Sequence, residues 1–243
     1  MSKPRLFTGI QATGTLTLGN YLGVIHHILK IQKQYEVIIM IADLHALTVP
    51  KKELDYRKNC YEMAALLYAC GLNENCKIFI QSEVKEHLEL FYLLSPHVTV
   101  GKMGDMIQFK DKMEKEGTGN LALLSYPVLM AADIFLYTEQ GKDDLVIVGQ
   151  DQKQHTELAS KLACKFNNFC GREILKIPTF EIPKLGGKVM GLKNPEKKMS
   201  KSENDYIGLL DTPKVVEEKF KKAKTDSDKS NTICYDPEKE DKK

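Results

Sequence analysis

Apolar residues along this chain alternate between two patterns. Short apolar-rich segments at 6–10, 36–42, 77–81 and 145–148 predict buried strands; the second and fourth carry the unbroken runs Val37-Ile38-Ile39-Met40-Ile41 and Leu145-Val146-Ile147-Val148. Such runs suit a parallel sheet covered on both faces. Between them, apolar residues recur at helical spacing. Leu22, Ile25 and Leu29 predict a helix over 19–34. Cys60, Met63, Leu66, Leu67 and Cys70 predict another, with Gly71 as its C-terminal stop. Leu158, Leu162 and Phe166 mark a third after the last strand, and helices are expected over 85–94, 104–115 and 121–137. Strand–helix alternation predicts an α/β chain, a Rossmann-like parallel sheet flanked by helices. Ligands of such sheets bind beyond the C-terminal strand ends, where strand order reverses. The loops after Ile10, Ile41, Gln81 and Val148 are therefore the places to look for chemistry.

Composition narrows this picture. A chain of 243 residues holds one large or two small domains. The 35 basic and 33 acidic residues give a formal charge of +2, so no bulk field compels a nucleic-acid or membrane partner and any polyanion site must be local. No apolar run approaches the ~20 residues that span a bilayer, and the N-terminus has no secretory core; a cytoplasmic protein without a membrane partner is expected. The six cysteines form no CxxC pair, which disfavours a zinc site or a disulfide framework, and Cys60 and Cys70 read as core thiols. From 214 onward the chain turns lysine- and acid-rich. One helix is expected there, with Val216, Phe220 and Ala223 inward, followed by a solvated stretch over 226–243.

Four segments could carry chemistry. Gly9-Ile10-Gln11-Ala12-Thr13-Gly14-Thr15-Leu16-Thr17-Leu18-Gly19-Asn20-Tyr21 joins the first strand to the first helix. It is either an ordinary turn or a nucleotide site that uses glycine to admit phosphate near a helix N-terminus. It lacks the lysine and hydroxyl of a P-loop. Lys197-Lys198-Met199-Ser200-Lys201-Ser202 follows Gly186, Gly187 and Asn194-Pro195. It is either a solvated loop or a phosphate clamp of cations and hydroxyls. Asp133 ends the nearly uncharged run Ser125-Tyr126-Pro127-Val128-Leu129-Met130-Ala131-Ala132. A carboxylate there belongs to a solvent face, an internal ion pair or a ligand anchor. Gly149-Gln150-Asp151-Gln152-Lys153-Gln154-His155 follows the 145–148 strand, where Asp151 suits a helix N-cap and ribose hydroxyls equally. Asp43 and His45 hold the matching place after 36–42.

Taken together these segments resemble the class I aminoacyl-tRNA synthetases. Thr17-Leu18-Gly19-Asn20 is similar to the family's HIGH signature, and Lys198-Met199-Ser200-Lys201-Ser202 is its KMSKS signature. Phe7-Thr8-Gly9-Ile10-Gln11, Gly19-Asn20-Tyr21-Leu22-Gly23, Asp43-Leu44-His45-Ala46, Leu129–Asp133 and Gly149–His155 resemble the bacterial tryptophanyl branch, in family order. The resemblance implies ATP, Mg²⁺, L-tryptophan, tRNA(Trp) and a homodimer. It implies a catalytic domain over 1–212 and the start of a helical region over 213–243. The part of that region that reads the anticodon would be mostly missing, as in a truncated chain.

Carried over residue by residue, it assigns Thr17, Asn20, Lys198 and Lys201 to catalysis. Gln11, Ala12, Thr13, Gly19 and Asn20 would line the ATP site, Gly149, Gln150 and Asp151 would hold adenosine, and Val189 would lie near the base. Lys198, Met199, Ser200, Lys201 and Ser202 would close over the phosphates. Asp133 would accept the indole N–H. Tyr126, Gln152 and Gln108 would fix the amino and carboxylate groups, while Phe7, His45, Met130, Val146 and Val148 would wall the indole. The chain departs from the family pattern at Thr17 (for histidine), Ala12 (for proline), Gln150 (for glutamate) and Gly191 (for serine). Tyrosine-specific relatives place a glutamine where Met130 stands, so tryptophan is the expected substrate. A tyrosine-specific enzyme and a non-catalytic synthetase-like fragment are the alternatives.

Overall fold

The computed structural model describes residues 3–12, 14, 16–50, 52–183, 189–201 and 203–225, apart from the side chains of Lys115 and Glu116. Five parallel strands, β1 (Arg5–Ile10), β2 (Glu36–Ile41), β3 (Lys77–Ile80), β4 (Leu145–Ile147) and β5 (Thr179–Glu181), form one sheet in the order β3-β2-β1-β4-β5. The chain moves outward from β1 to β2 and β3, then returns to pair β4 with the other side of β1 through Leu6–Leu145 and Phe7–Val146. The reversal places a crevice beyond the C-terminal ends of β1 and β4.

The helices are α1 (Leu18–Asn20), α2 (His26–Ile31), α3 (Asp43–Ala46), α4 (Tyr56–Ala69), α5 (Glu86–Leu94), α6 (Val100–Gly104), α7 (Ile107–Glu116), α8 (Leu121–Phe135), α9 (Lys153–Cys170) and α10 (Pro213–Lys221). A π-helical turn, Tyr21–Ile25, joins α1 to α2, so the predicted 19–34 helix is one path with a widened turn inside it. Gly71 takes φ +103 just past α4, the stop expected of it.

Strand alternation sorts the core into two layers. Val37, Ile39 and Ile41, with Leu6, Leu145 and Ile147, face Ile25, Ile28, Cys60, Met63 and Leu67. Phe7, Ile38, Met40, Val146 and Val148 face the opposite way, against Val128, Ala131 and Ala132 of α8 and Leu158 and Leu162 of α9. Phe7, Val146 and Val148 therefore share the α8 face because of their parity along the strands.

Several expectations are corrected. The predicted 104–115 helix begins only at Ile107 and runs to Glu116, because Met106 takes an extended conformation and is buried in the core; the short α6 precedes it as a separate helix. The β5 strand escaped prediction, being three residues long and only partly buried. The α10 helix forms, with Val216 and Ala223 half-buried, but Phe220 is 57% exposed and does not turn inward as periodicity suggested. Thr13, Ser202, Gly186, Gly187, Cys234 and the 226–243 stretch lie outside the described residues.

Candidate active site

A cavity of about 370 Å³ opens at the sheet's reversal point, between β1, β4 and α8. Phe7, Met130, Val146 and Val148 supply apolar wall; Gln11, His45, Gln108, Tyr126, Asp133, Gly149, Asp151 and Gln152 supply polar groups. Twelve residues singled out in the sequence thus converge on one space. A larger surface groove of about 680 Å³ beside α9 contains none of them.

Asp133 is the deepest charge. From Tyr126 to Phe135 every residue of α8 but the half-buried Met130 is buried, so this part of the helix has no solvent face on which a carboxylate could sit. Asp133 is 1% exposed, and its charge is met by three donors. Its Oδ2 lies 2.6 Å from His45 Nε2; its Oδ1 lies 2.7 Å from His87 Nδ1 and accepts Gln81 Nε2 at 2.8 Å. Burial alone would raise its pKa, but the His45 and His87 hydrogen bonds prevail and hold it below the ordinary carboxylate value. His87 Nε2 in turn lies 2.9 Å from the Tyr137 hydroxyl, which stacks on Phe7 at 4.9 Å. With Nδ1–H directed at Asp133, His87 accepts the tyrosine proton at Nε2 and its tautomer is set.

Gln81, His87 and Tyr137 were not singled out from the sequence. Gln81 and His87 are wholly inaccessible polar side chains beyond β3, one directly after the strand and one on the inner face of α5. A glutamine ending an apolar strand, followed six residues later by a histidine on an apolar helix face, was the available signal. What it lacked was the partner, 46 positions further on.

A second polar chain lies across the cavity. Tyr126 OH donates to Gln108 Oε1 at 2.7 Å and lies 2.6 Å from His155 Nε2. Gln108 Nε2 donates to the Asp151 carbonyl and to Asp151 Oδ2, both at 3.0 Å, and Gln152 Nε2 reaches Oδ2 at 2.8 Å. A hydroxyl has one proton, so the chain runs His155 Nε2–H to Tyr126 to Gln108 to Asp151. Burial depresses the His155 pKa to about 4, so the ring is neutral at pH 7. Asp151 is thus an acceptor within this network, and its side chain caps neither the short 3₁₀ turn nor α9. Lys112 stands 5.5 Å over the Tyr126 ring.

The two signature segments are brought close to each other. Thr17 caps α1, accepting the Asn20 N–H, while Asn20 Oδ1 accepts the Thr17 N–H at 3.0 Å and the Thr17 hydroxyl at 2.9 Å. Both side chains are committed to this turn. The lysine segment folds as a hairpin: Met190 bridges Lys198, and Met199 N–H donates to Val189 O at 2.8 Å. Leu18 N–H donates to Ile207 O at 2.8 Å, Leu209 N–H donates to Leu16 O at 2.9 Å, and a Cβ on Gly19 would lie 3.8 Å from Val189 Cβ. Ala12 is fully buried beside the turn and Gln150 is exposed; neither lines the cavity, nor do Thr17, Gly19, Asn20, Val189 and 198–201.

A parallel sheet reversing between β1 and β4, with a glycine-bearing turn and a lysine hairpin at its C-terminal edge, defines a nucleotide-binding protein of the Rossmann class. Residues 1–241 match the tRNA synthetases class I (W and Y), and the chain belongs to that family. It is 47% identical over 243 residues to a tryptophan--tRNA ligase of Wolinella succinogenes, covering 98% of this chain and 72% of the relative. Among solved structures it is similar to a tryptophanyl-tRNA synthetase from Mycoplasma pneumoniae (TM-score 0.82, 39% identity, covering 93% of this chain and 67% of that one). It is also similar to one from Campylobacter jejuni complexed with ADP and tryptophan (TM-score 0.81, 34% identity, covering 92% and 68%).

Proposed function

We propose that this chain activates L-tryptophan with ATP, giving tryptophanyl-adenylate and pyrophosphate, and passes the acyl group to tRNA(Trp). The observation that carries the reading is a buried, ionised Asp133 bordering an apolar cavity, beside the reversal point of the sheet. A carboxylate has about four acceptor sites and three are taken by His45, His87 and Gln81, so one remains for an indole N–H, and a phenylalanine side chain offers no donor to it. A hydrogen bond to a charged group is worth about 1.5–3 kcal/mol, roughly 10–100-fold in discrimination. Met130 on the cavity wall offers no hydrogen bond to a phenol and favours indole over tyrosine.

The substrate carboxylate is the nucleophile at the α-phosphorus, so no protein nucleophile is needed. Alignment and countercharge do the work. Gln108, Tyr126 and Gln152 orient the amino acid, the 149–151 segment receives the adenosine, and Lys198 and Lys201 neutralise the leaving pyrophosphate. Among the described residues no three His, Cys, Asp or Glu side chains converge to hold a metal, so Mg²⁺ fits as an ion carried on the phosphates of ATP, supplying further countercharge there. Among those same residues no helix is long and apolar enough to cross a membrane. Leu88, Tyr92 and Leu93 of α5 and Val100 of α6 are each at least half exposed, apolar surface that a homodimer would cover.

The purified chain should exchange pyrophosphate into ATP in the presence of tryptophan and not of tyrosine. Exchange with tyrosine instead, or with neither amino acid, overturns the assignment.

A further inference from the structure

One carboxylate outside the cavity holds the lysine hairpin together. Asp205 is 8% exposed. Its Oδ1 accepts the backbone N–H groups of Leu192 at 2.9 Å and Lys193 at 3.1 Å, and its Oδ2 accepts those of Lys193 at 3.1 Å and Asn194 at 3.0 Å. Three successive N–H groups around one carboxylate form an anion-gripping nest. The Asp205 backbone also pairs with Ser200 in both directions, at 3.0 and 3.1 Å. A single residue therefore ties the 192–194 turn to the strand carrying Lys198 and closes the turn carrying Lys201. Just beyond it, Ile207 to Leu209 pair with Leu16 to Leu18 of the first signature.

Gly191 completes the clasp. A Cβ there would stand 2.1 Å from Asp205 Oδ2, well inside contact distance, so the serine typical of the family at this place would expel the carboxylate. Burial alone would raise the Asp205 pKa, but the backbone N–H groups of Lys193, Asn194 and Leu192 hold it below the ordinary value, so the clasp is charged at neutral pH.

We propose that Asp205 is a positioning residue for amino-acid activation, fixing Lys198 and Lys201 relative to the 17–20 turn, and that Gly191 is the residue that makes room for it. This rests on the activation reading above. Countercharge helps the reaction only where it is pre-placed, and a displacement of about 1 Å can cost ~10²-fold.

The test pairs steady-state pyrophosphate exchange with amide hydrogen exchange. Asp205→Ala should lower kcat about 10–100-fold, leave the tryptophan KM within about twofold, and speed exchange of the 192–194 amides. Asp205→Asn, which keeps one acceptor oxygen, should fall between this variant and the wild type. Gly191→Ser should behave like Asp205→Ala, and combining the two should add nothing further. An unchanged kcat, a proportional loss in kcat and tryptophan affinity, or unaltered exchange at 192–194 overturns the proposal. A wild-type chain without exchange activity overturns the activation reading and the positioning role with it; the 192–194 amides then report separately whether the clasp exists.

Discussion

His155 should make this protein acid-sensitive well above the carboxylate range. Its ring is 1% exposed, and its Nδ1 is buried with no hydrogen-bond partner among the described residues. Protonation would place the ring's second N–H on that nitrogen, facing no acceptor among the described residues, in a region where Lys112 already contributes positive charge. Burial is the main cause of the depressed pKa, with Asp151 offsetting part of it. The unfolded ring titrates near 6.5 and the folded one near 4, so between these values the unfolded state binds the extra proton. Stability therefore rises with pH across this window and is lost on acidification. Linkage gives about 2 kcal/mol lost between pH 7.5 and 5, and about 3 kcal/mol once both states are protonated. Urea unfolding at pH 7.5 and 5 measures this directly. His155→Gln, which keeps a neutral polar side chain, should lower stability at pH 7.5 through the disturbed Tyr126 contact yet lose about 2 kcal/mol less than the wild type on going to pH 5. Parallel stability profiles for the two proteins would refute the argument, since they would mean that His155 titrates alike in both states.

Two further outcomes follow from the site. Asp133→Asn keeps the shape of the side chain but must turn an amide N–H against either His45 or the Gln81–His87 pair. Losing a hydrogen bond to a charged group, about 1.5–3 kcal/mol, should raise the tryptophan KM about 10–100-fold while sparing that for ATP, and an unchanged tryptophan KM argues against the anchor. Replacing Lys198 and Lys201 together with alanine should lower kcat for pyrophosphate exchange by at least about 100-fold with tryptophan binding retained; equal losses in both would contradict a role confined to the transition state.

Much of the molecule could be read from local pattern. Four of the five strands, the long helices and the Gly71 stop follow from apolar spacing, because burial on one face or two leaves a period in the sequence. Phe7, Val146 and Val148 were named from family resemblance, and the parity of their strands is what sets them on the α8 face. The lysine and glycine signatures were visible as chemistry that a core would not contain, although family resemblance was needed to choose between solvated loop and phosphate site. Pattern failed where the outcome depends on what lies opposite. Phe220 has helical spacing but stays exposed, and Met106, extended and buried in the core, holds back the start of α7.

The polar partnerships are the part that only the tertiary structure decides. An aspartate in an apolar helix is ambiguous until Gln81, His87 and His45 arrive from the turn after β3, from α5 and from α3 to pay for its burial. Asp205 looks like one acid among many until its carboxylate meets three amides of the facing turn, and Gly191 looks incidental until the space it leaves is seen to hold that carboxylate. The physical reason is the same in each case. Hydrophobic burial is non-directional and leaves its mark on every residue of an element, whereas a hydrogen bond joins two particular atoms whose separation along the chain carries no period.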